Sequence, residues 1–412
     1  MTADWTQAPG TAVPAVPTDP GFEAALGAAV RVAALSPSSH NCQPWAVAWA
    51  RGGGARAAAA RAVPGASGSD QYLVLALDRE RRLRALPSLH VEMLVSCGAY
   101  GQLLLRALGA QGWAVAGLRF APGGLEGPLA AGWPWQEPGP ADWPRTWAPL
   151  CVARLRPAPG GPAEDLRALR DTAEARRTHR APYRPQPVAP DVLDRLAAPT
   201  GTAVARDADV GVRHLTSDAD RAALADFVAR HAGRDFSHGP AWRETHAYLR
   251  FSAADAAAHG DGFTLAELFG PLSRPGEWAR RLALAPMTMR LLRHVGYPGL
   301  LARQLARIVR PTPALTVLSL TGTRAPTLAD GVKGGARLAD YWLGATAEGL
   351  VLHPISAVLQ HDDLRHALED RFRIPGQAIF LSRLGRPATD AAGVSGLPRS
   401  RRRPAHAPLR TI

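Results

Sequence analysis

The chain has 412 residues, 46% of them apolar, and a formal charge of +13. That is enough for two core-forming units of about 100–200 residues each and excludes an unfolded, charge-dominated chain. Lys333 is the only lysine, so the basic excess is arginine beside heavy use of alanine, glycine and proline. This is the signature of a GC-rich genome, and no nucleic-acid-binding module accompanies the charge.

Residues 1–20 lack a basic segment followed by an apolar one, so no signal peptide is expected. A helix is expected over 22–35. Pro37 and Pro44 then fix φ and block helix or interior strand, making 36–45 a shaped loop. It carries Ser38, Ser39, Asn41 and Gln43, whose polar groups can bind a ligand or tie the loop to itself. A strand is expected over 45–50, a patternless connection over 52–69, and a strand buried on both faces over 72–77. Residues 89–111 are apolar nearly all round, which predicts a buried central helix. Its most apolar part, 91–108, is interrupted by Glu92, Ser96, Gln102 and Arg106, so it is not a membrane span. A loop (122–144), a strand (149–155) and a linker (157–162) close the first part.

The second part opens with a helix over 163–177 running into Arg176-Arg177-Thr178-His179-Arg180. Such an arginine cluster also suits a solvated helix end. Helices are expected over 190–196, 218–231, 299–309 and 336–348, and strands over 314–321 and 378–384. Glycines and prolines break 233–298 into short pieces. The arginines at 399 and 401–403 are expected in a solvated, disordered tail spanning 388–412.

The two parts repeat. Each has a strand, then a long helix ending in glycine and a short apolar run: Gly112-Trp113-Ala114-Val115 and Gly349-Leu350-Val351-Leu352. Each closes on similar text, V-A-R-L-R-P at 152–157 and L-S-R-L-G-R-P at 381–387. An internal duplication follows as an expectation.

The segment P-S-S-x-N-x-Q-P-W at 37–45 resembles the flavin loop of the FMN-dependent nitroreductase family. S-S-H-N-x-Q-P-W early and R-R-x-x-R near mid-chain are similar to its Acg-type branch. The resemblance covers about 22–387 and implies an α+β fold of two nitroreductase-like halves, 22–157 and 163–387, with a lid-like insertion at 233–298. In ordinary members, two chains each give one segment to a composite FMN site. Here the loop survives only in the first half and the arginines only in the second, which implies a fused pseudo-dimer with one FMN.

The resemblance further implies that Arg176, Arg177, Thr178 and Arg180 hold the phosphate and ribityl chain, with Arg383 or Arg386 as the C-terminal basic residue. Ser38, Ser39 and Asn41 would reach the cofactor from the other half, while Gln43 and Trp45 shape the loop. The turn Pro354-Ile355-Ser356 looks like the family's P-I-x-G turn. Pro354 and Ile355 would pack on one flavin face, and the Ser356 N–H would face N5; Ala357 replaces the family's usual glycine. No H-E-x-x-H, G-x-S-x-G or P-loop is present, and His238, His246 and His259 match no metal spacing. Cys42, Cys97 and Cys151 form no C-x-x-C pair, and Cys42 reads as a small filler rather than a reactive thiol.

The implied function is hydride transfer between flavin N5 and a small conjugated or aromatic substrate, with NAD(P)H as reductant. The alternatives are an FMN-sequestering protein and a flavin dehydrogenase of a biosynthetic pathway. The expected partner is the small molecule alone, with no nucleic acid or membrane, in a cytoplasmic monomer or weak homodimer.

Overall fold

A computed structural model describes residues 20–65, 67–125, 142–158, 160, 163–199, 203–205, 208–322, 324–388 and 400–412. The N-terminal segment, most of the 122–144 loop, part of the 157–162 linker and residues 389–399 lie outside the described residues.

The first half runs α1 (Pro20–Ala33), β1 (Trp45–Trp49), α2 (Gly53–Ala62), β2 (Gln71–Asp78), α3 (Pro87–Gly109), β3 (Trp113–Phe120) and β4 (Trp147–Pro157). The second begins α4 (Leu166–Ala175), α5 (Pro190–Ala197), β5 (Val210–Leu215) and α6 (Asp218–His231). A run of short elements follows: α7 (Gly233–Ser237), α8 (Gly239–Ala247), β6 (Leu249–Arg250), α9 (Ala253–His259), β7 (Phe263–Thr264), α10 (Leu265–Phe269), α11 (Arg274–Leu284) and α12 (Pro286–Leu292). The chain closes with α13 (Tyr297–Val309), β8 (Ala314–Leu320), α14 (Leu328–Ala347), β9 (Val351–Pro354), α15 (Asp362–Phe372), β10 (Gln377–Gly385) and β11 (Leu409–Thr411).

The two main sheets have strand orders β11-β1-β2-β4-β3 and β5-β8-β10-β9. Without β11, the orders are identical, every pairing is antiparallel, and α3 and α14 occupy equivalent places. The duplicated text at 152–157 and 381–387 therefore lies on equivalent strands, β4 and β10. Between the edge strand and its neighbour, the first half has α2; the second has α6 to α13, which includes the insertion.

The halves join where α3 crosses α14. A Cβ on Gly98 would lie 1.9 Å from the Val332 carbonyl oxygen, and one on Gly335 would lie 2.0 Å from that of Val95. Only glycine permits such backbone approach. Arg106 of α3 pairs with Asp340 of α14 at 2.9 Å beside this contact. Around it, Trp45 stacks on Tyr100 at 4.9 Å, and Phe22 packs edge-on against Trp113. Trp45 is thus core, as expected.

Three expectations need correction. The 52–69 connection contains α2, an alanine helix tied down by Arg56, which donates to the Asp70 carbonyl at 2.7 Å. Helix α14 starts eight residues before 336, behind a Thr327/Asp330 capping box. Its glycines look like breakers in sequence but make room for α3 and for Ile379. Residues 400–412 are an ordered part of the fold. β11 pairs parallel to the open edge of β1, the Ile412 carbonyl accepts from Arg51 and Gly52 N–H, and Ile412 is buried.

Candidate functional site

Three non-glycine residues of the 36–45 loop have left-handed backbones: His40 (φ 49°), Asn41 (52°) and Gln43 (51°). Such geometry persists only where the surroundings over-determine it. Ser38 Oγ accepts from the Gln43 N–H at 3.0 Å, and the Ser39 N–H donates to Ser96 Oγ at 3.2 Å. Asn41 Nδ2 donates to the Gly262 and Arg401 carbonyls, both at 2.9 Å, while its Oδ1 accepts from Arg402 Nη1 at 2.8 Å. Gln43 Nε2 donates to the Gly260 carbonyl at 2.8 Å, and its Oε1 accepts from the Arg403 N–H. The insertion and the C-terminal segment thus both anchor on this loop. Burial pushes the Cys42 thiol up, so it is a filler against Met93.

The arginine-rich segment follows α4. Thr178 bridges to Leu352, and the His179 N–H donates to the Leu352 carbonyl at 2.8 Å, fastening the segment beside β9. Arg176 stacks on Trp342 at 4.7 Å and donates from Nη2 to the Leu35 carbonyl at 3.1 Å. Arg402 Nη2 reaches the same carbonyl at 3.5 Å. Two guanidiniums therefore converge at the root of the Ser/Asn loop. The Nε of each is buried without a hydrogen-bond partner, and neither pairs with a carboxylate among the described residues. Burial, then repulsion from Arg402 and Arg177, lowers Arg176 to about 9. Burial lowers Arg402 to about 10, against a smaller attraction to Glu267. Both remain charged at neutral pH. Arg180, also lowered by burial, donates to the Glu267 carbonyl at 3.3 Å and faces the Phe263 ring. Unpaired charge with unused donors is the complement of a multivalent oxyanion.

From the second half, Ile355 is buried and its N–H donates to the Leu381 carbonyl at 2.8 Å; Pro354, ahead of it, is half-buried. The Ser356 carbonyl accepts from Leu359, while the Ser356 N–H has no partner among the described residues. Just beyond, Gln360 Nε2 donates to Glu92 Oε1 at 2.6 Å, and Glu92 Oε2 accepts from Ser39 Oγ. Glu92 thus clamps the first-half loop to the second-half turn, and burial raises its pKa.

Arg383 and Arg386 do not join the cluster. Arg383 is fully buried, lies 4.1 Å over Tyr183, and donates to Thr312 Oγ1 and to the Arg180 and Ala181 carbonyls. Its donors are spent supporting the arginine-rich segment. Arg386 is exposed, and its carbonyl accepts from the Arg184 N–H. Arg402, read from sequence as a solvated tail residue, instead lies beside Arg176 at the Leu35 carbonyl. Glu92 and Gln360 were also missed, because a lone Glu in an apolar helix and a Gln after a turn carry no motif.

The insertion lies across the loop. Phe263 approaches His40 at 5.9 Å, and Asp261 pairs with both Arg81 and Arg250. Among the described residues, no His/Cys/Asp/Glu group could hold a metal ion.

No protein-family model matches the chain. The "Probable NAD(P)H nitroreductase PigM" of Serratia sp. is 33% identical over 390 residues, covering 92% of each chain. Among solved structures, the FMN-dependent nitroreductase NfnB of Mycobacterium smegmatis, in complex with NADPH, is 17% identical and covers 58% of this chain and 95% of its own, at a TM-score of 0.34. A structure from Anabaena variabilis, assigned provisionally to the nitroreductases, is 11% identical and covers 90% of each chain at 0.48. On its identity to the Serratia relative across nearly its whole length, the chain belongs to the nitroreductase family.

Proposed function

We propose that the chain is an FMN-dependent, NAD(P)H-linked oxidoreductase of fused pseudo-dimer type, holding one FMN between its halves and moving hydride between flavin N5 and a small conjugated or aromatic substrate. The observation that carries this reading is the convergence of Arg176 and Arg402, charged, without carboxylate partners among the described residues and each with a buried Nε that has no partner there. An FMN phosphate fits that chemistry, and Arg177 and Arg180 lie on the same segment. Thr178 fixes that segment beside β9. Bound there, FMN supplies a reversible hydride acceptor.

The chain's own residues do the positioning. Ser38 and Gln43 brace the loop, Asn41 orients the Arg402 guanidinium, and Ser39 is held by Glu92. The Ser356 N–H remains available for the flavin edge, behind Pro354 and Ile355. A backbone donor stabilises developing charge without a titrating side chain, which is consistent with the absence of a catalytic triad motif.

A second reading, flavin sequestration, is favoured by the bonds that Asn41 and Gln43 make to the insertion at Gly262 and Gly260. The insertion then acts as a closed lid. Absorbance of the purified protein, followed by anaerobic NADPH and dithionite, tests both. The enzyme reading expects about one FMN per chain and bleaching by NADPH. Bleaching by dithionite alone assigns sequestration. Two flavins per chain, or none after incubation with FMN, overturns the site.

A further inference from the structure

The insertion has two faces. Inward, Leu284 and Met289 pack with Leu249 and Leu265 in a small separate core. Outward, Trp278, Met287, Leu291 and Val295 stand 67–77% exposed. Trp278 and Leu282 are four apart on α11, and Met287 and Leu291 are four apart on α12, so each pair shares one helix face. Between Arg274 and Arg310 the chain carries eight arginines and, in Glu277, a single carboxylate. Arg274, Arg290, Arg293 and Arg303 are exposed.

We propose that the outer face of α11, α12 and the start of α13 docks on the anionic headgroup layer of a membrane, seating Trp278, Met287, Leu291 and Val295 at the acyl boundary. Charge complementarity chooses the occupant. A second copy would bring two strongly positive faces together, whereas an anionic lipid surface neutralises the arginines and shelters the apolar side chains. Exposed helix faces carrying a tryptophan, a methionine and leucines, with arginines around them, match the composition of helices lying in the interface plane. The contact is peripheral, since no helix among the described residues is long and apolar enough to cross a membrane. From the sequence no membrane partner is expected, and the proposed docking departs from that expectation. The inference does not depend on what the flavin site does.

The test uses the full-length protein in co-sedimentation with phosphatidylcholine vesicles, with and without one-quarter phosphatidylglycerol, at 0.1 M and 0.5 M salt. Two double variants, Trp278→Ser/Leu291→Ser and Arg290→Ser/Arg293→Ser, change exposed side chains only, and circular dichroism checks their folding. The expected result is binding to the anionic vesicles that weakens about tenfold or more without phosphatidylglycerol, at high salt, and in each variant. No binding to anionic vesicles, or equal binding by the variants, overturns the proposal. Self-association in light scattering that Trp278→Ser/Leu291→Ser abolishes would assign the face to a second copy. Polyglutamate binding as tightly as vesicles, and indifferent to the apolar variant, would assign it to an acidic protein. Either result also overturns the proposal.

Discussion

Arg402→Ala tests whether Arg402 holds the cofactor, as proposed, or acts only as a tail arginine. In the free chain the substitution removes the 2.8 Å bond from Arg402 Nη1 to Asn41 Oδ1, a charge-assisted contact worth about 1.5–3 kcal/mol. It also removes a like charge that depresses Arg176, and this relief offsets part of the loss. The expected net cost to the free protein is about 1 kcal/mol, a melting shift of roughly 1 °C for a chain of this length. With FMN bound, the phosphate loses a charged donor with no compensating relief, again about 1.5–3 kcal/mol, or one to two decades in Kd. Arg401→Ala is the neighbouring control: its side chain is exposed, and the backbone carbonyl that accepts from Asn41 is retained. The assay is fluorescence titration of flavin-stripped protein with FMN, beside thermal melts of the same samples. Arg402→Ala should bind FMN 10- to 100-fold more weakly than Arg401→Ala while melting close to it. Equal Kd values for the two variants would refute the phosphate assignment.

Gly98→Ala forces a methyl into the Val332 carbonyl and should cost about 1–3 kcal/mol or more by prying α3 from α14, seen as a lower Tm; an unchanged Tm would contradict the close crossing. His40 is lowered to about 4 by burial, then by Arg180, so the folded state binds fewer protons than the unfolded state between that value and about 6.5. Stability should therefore fall as pH drops through this window, by about 2 kcal/mol at pH 5 from this residue. His40→Gln should flatten that part of the denaturant-midpoint profile, and a parallel profile would count against it. Asp261→Asn leaves Arg81 and Arg250 without their shared carboxylate and should destabilise by about 3–5 kcal/mol. Urea unfolding reads the loss, and a change below 1 kcal/mol would show that the pair is not structural. Arg383→Met should lower Tm as well as FMN affinity, because it releases the Arg180 and Ala181 carbonyls; loss of FMN at unchanged Tm would return Arg383 to the phosphate site.

Much was legible in the sequence because it rests on local rules. Period-two and all-apolar runs gave β2, β4, β8 and β10 within two residues, and Asp218–His231 appeared as expected because Ser217 caps it. The duplication could be read from matching strand ends, since equivalent strands bury equivalent faces. The Ser/Asn loop and the arginine-rich segment stood out because each packs its chemistry into a few consecutive residues. What stayed hidden depends on contacts between residues far apart in the chain. The glycines of α14 look like breakers until α3 lies 2.0 Å from where a Cβ would be. Arg402 looks like a solvated tail until β11 zips onto the open edge of β1 and carries it to Leu35. Glu92, 268 residues from Gln360, becomes a clamp only when both halves close on the loop. Sequence alone thus determined most core strands, the central helix and the two motif segments, whose causes are local. The tertiary structure decided which arginines share a site, because burial and convergence of charge are properties of the folded chain.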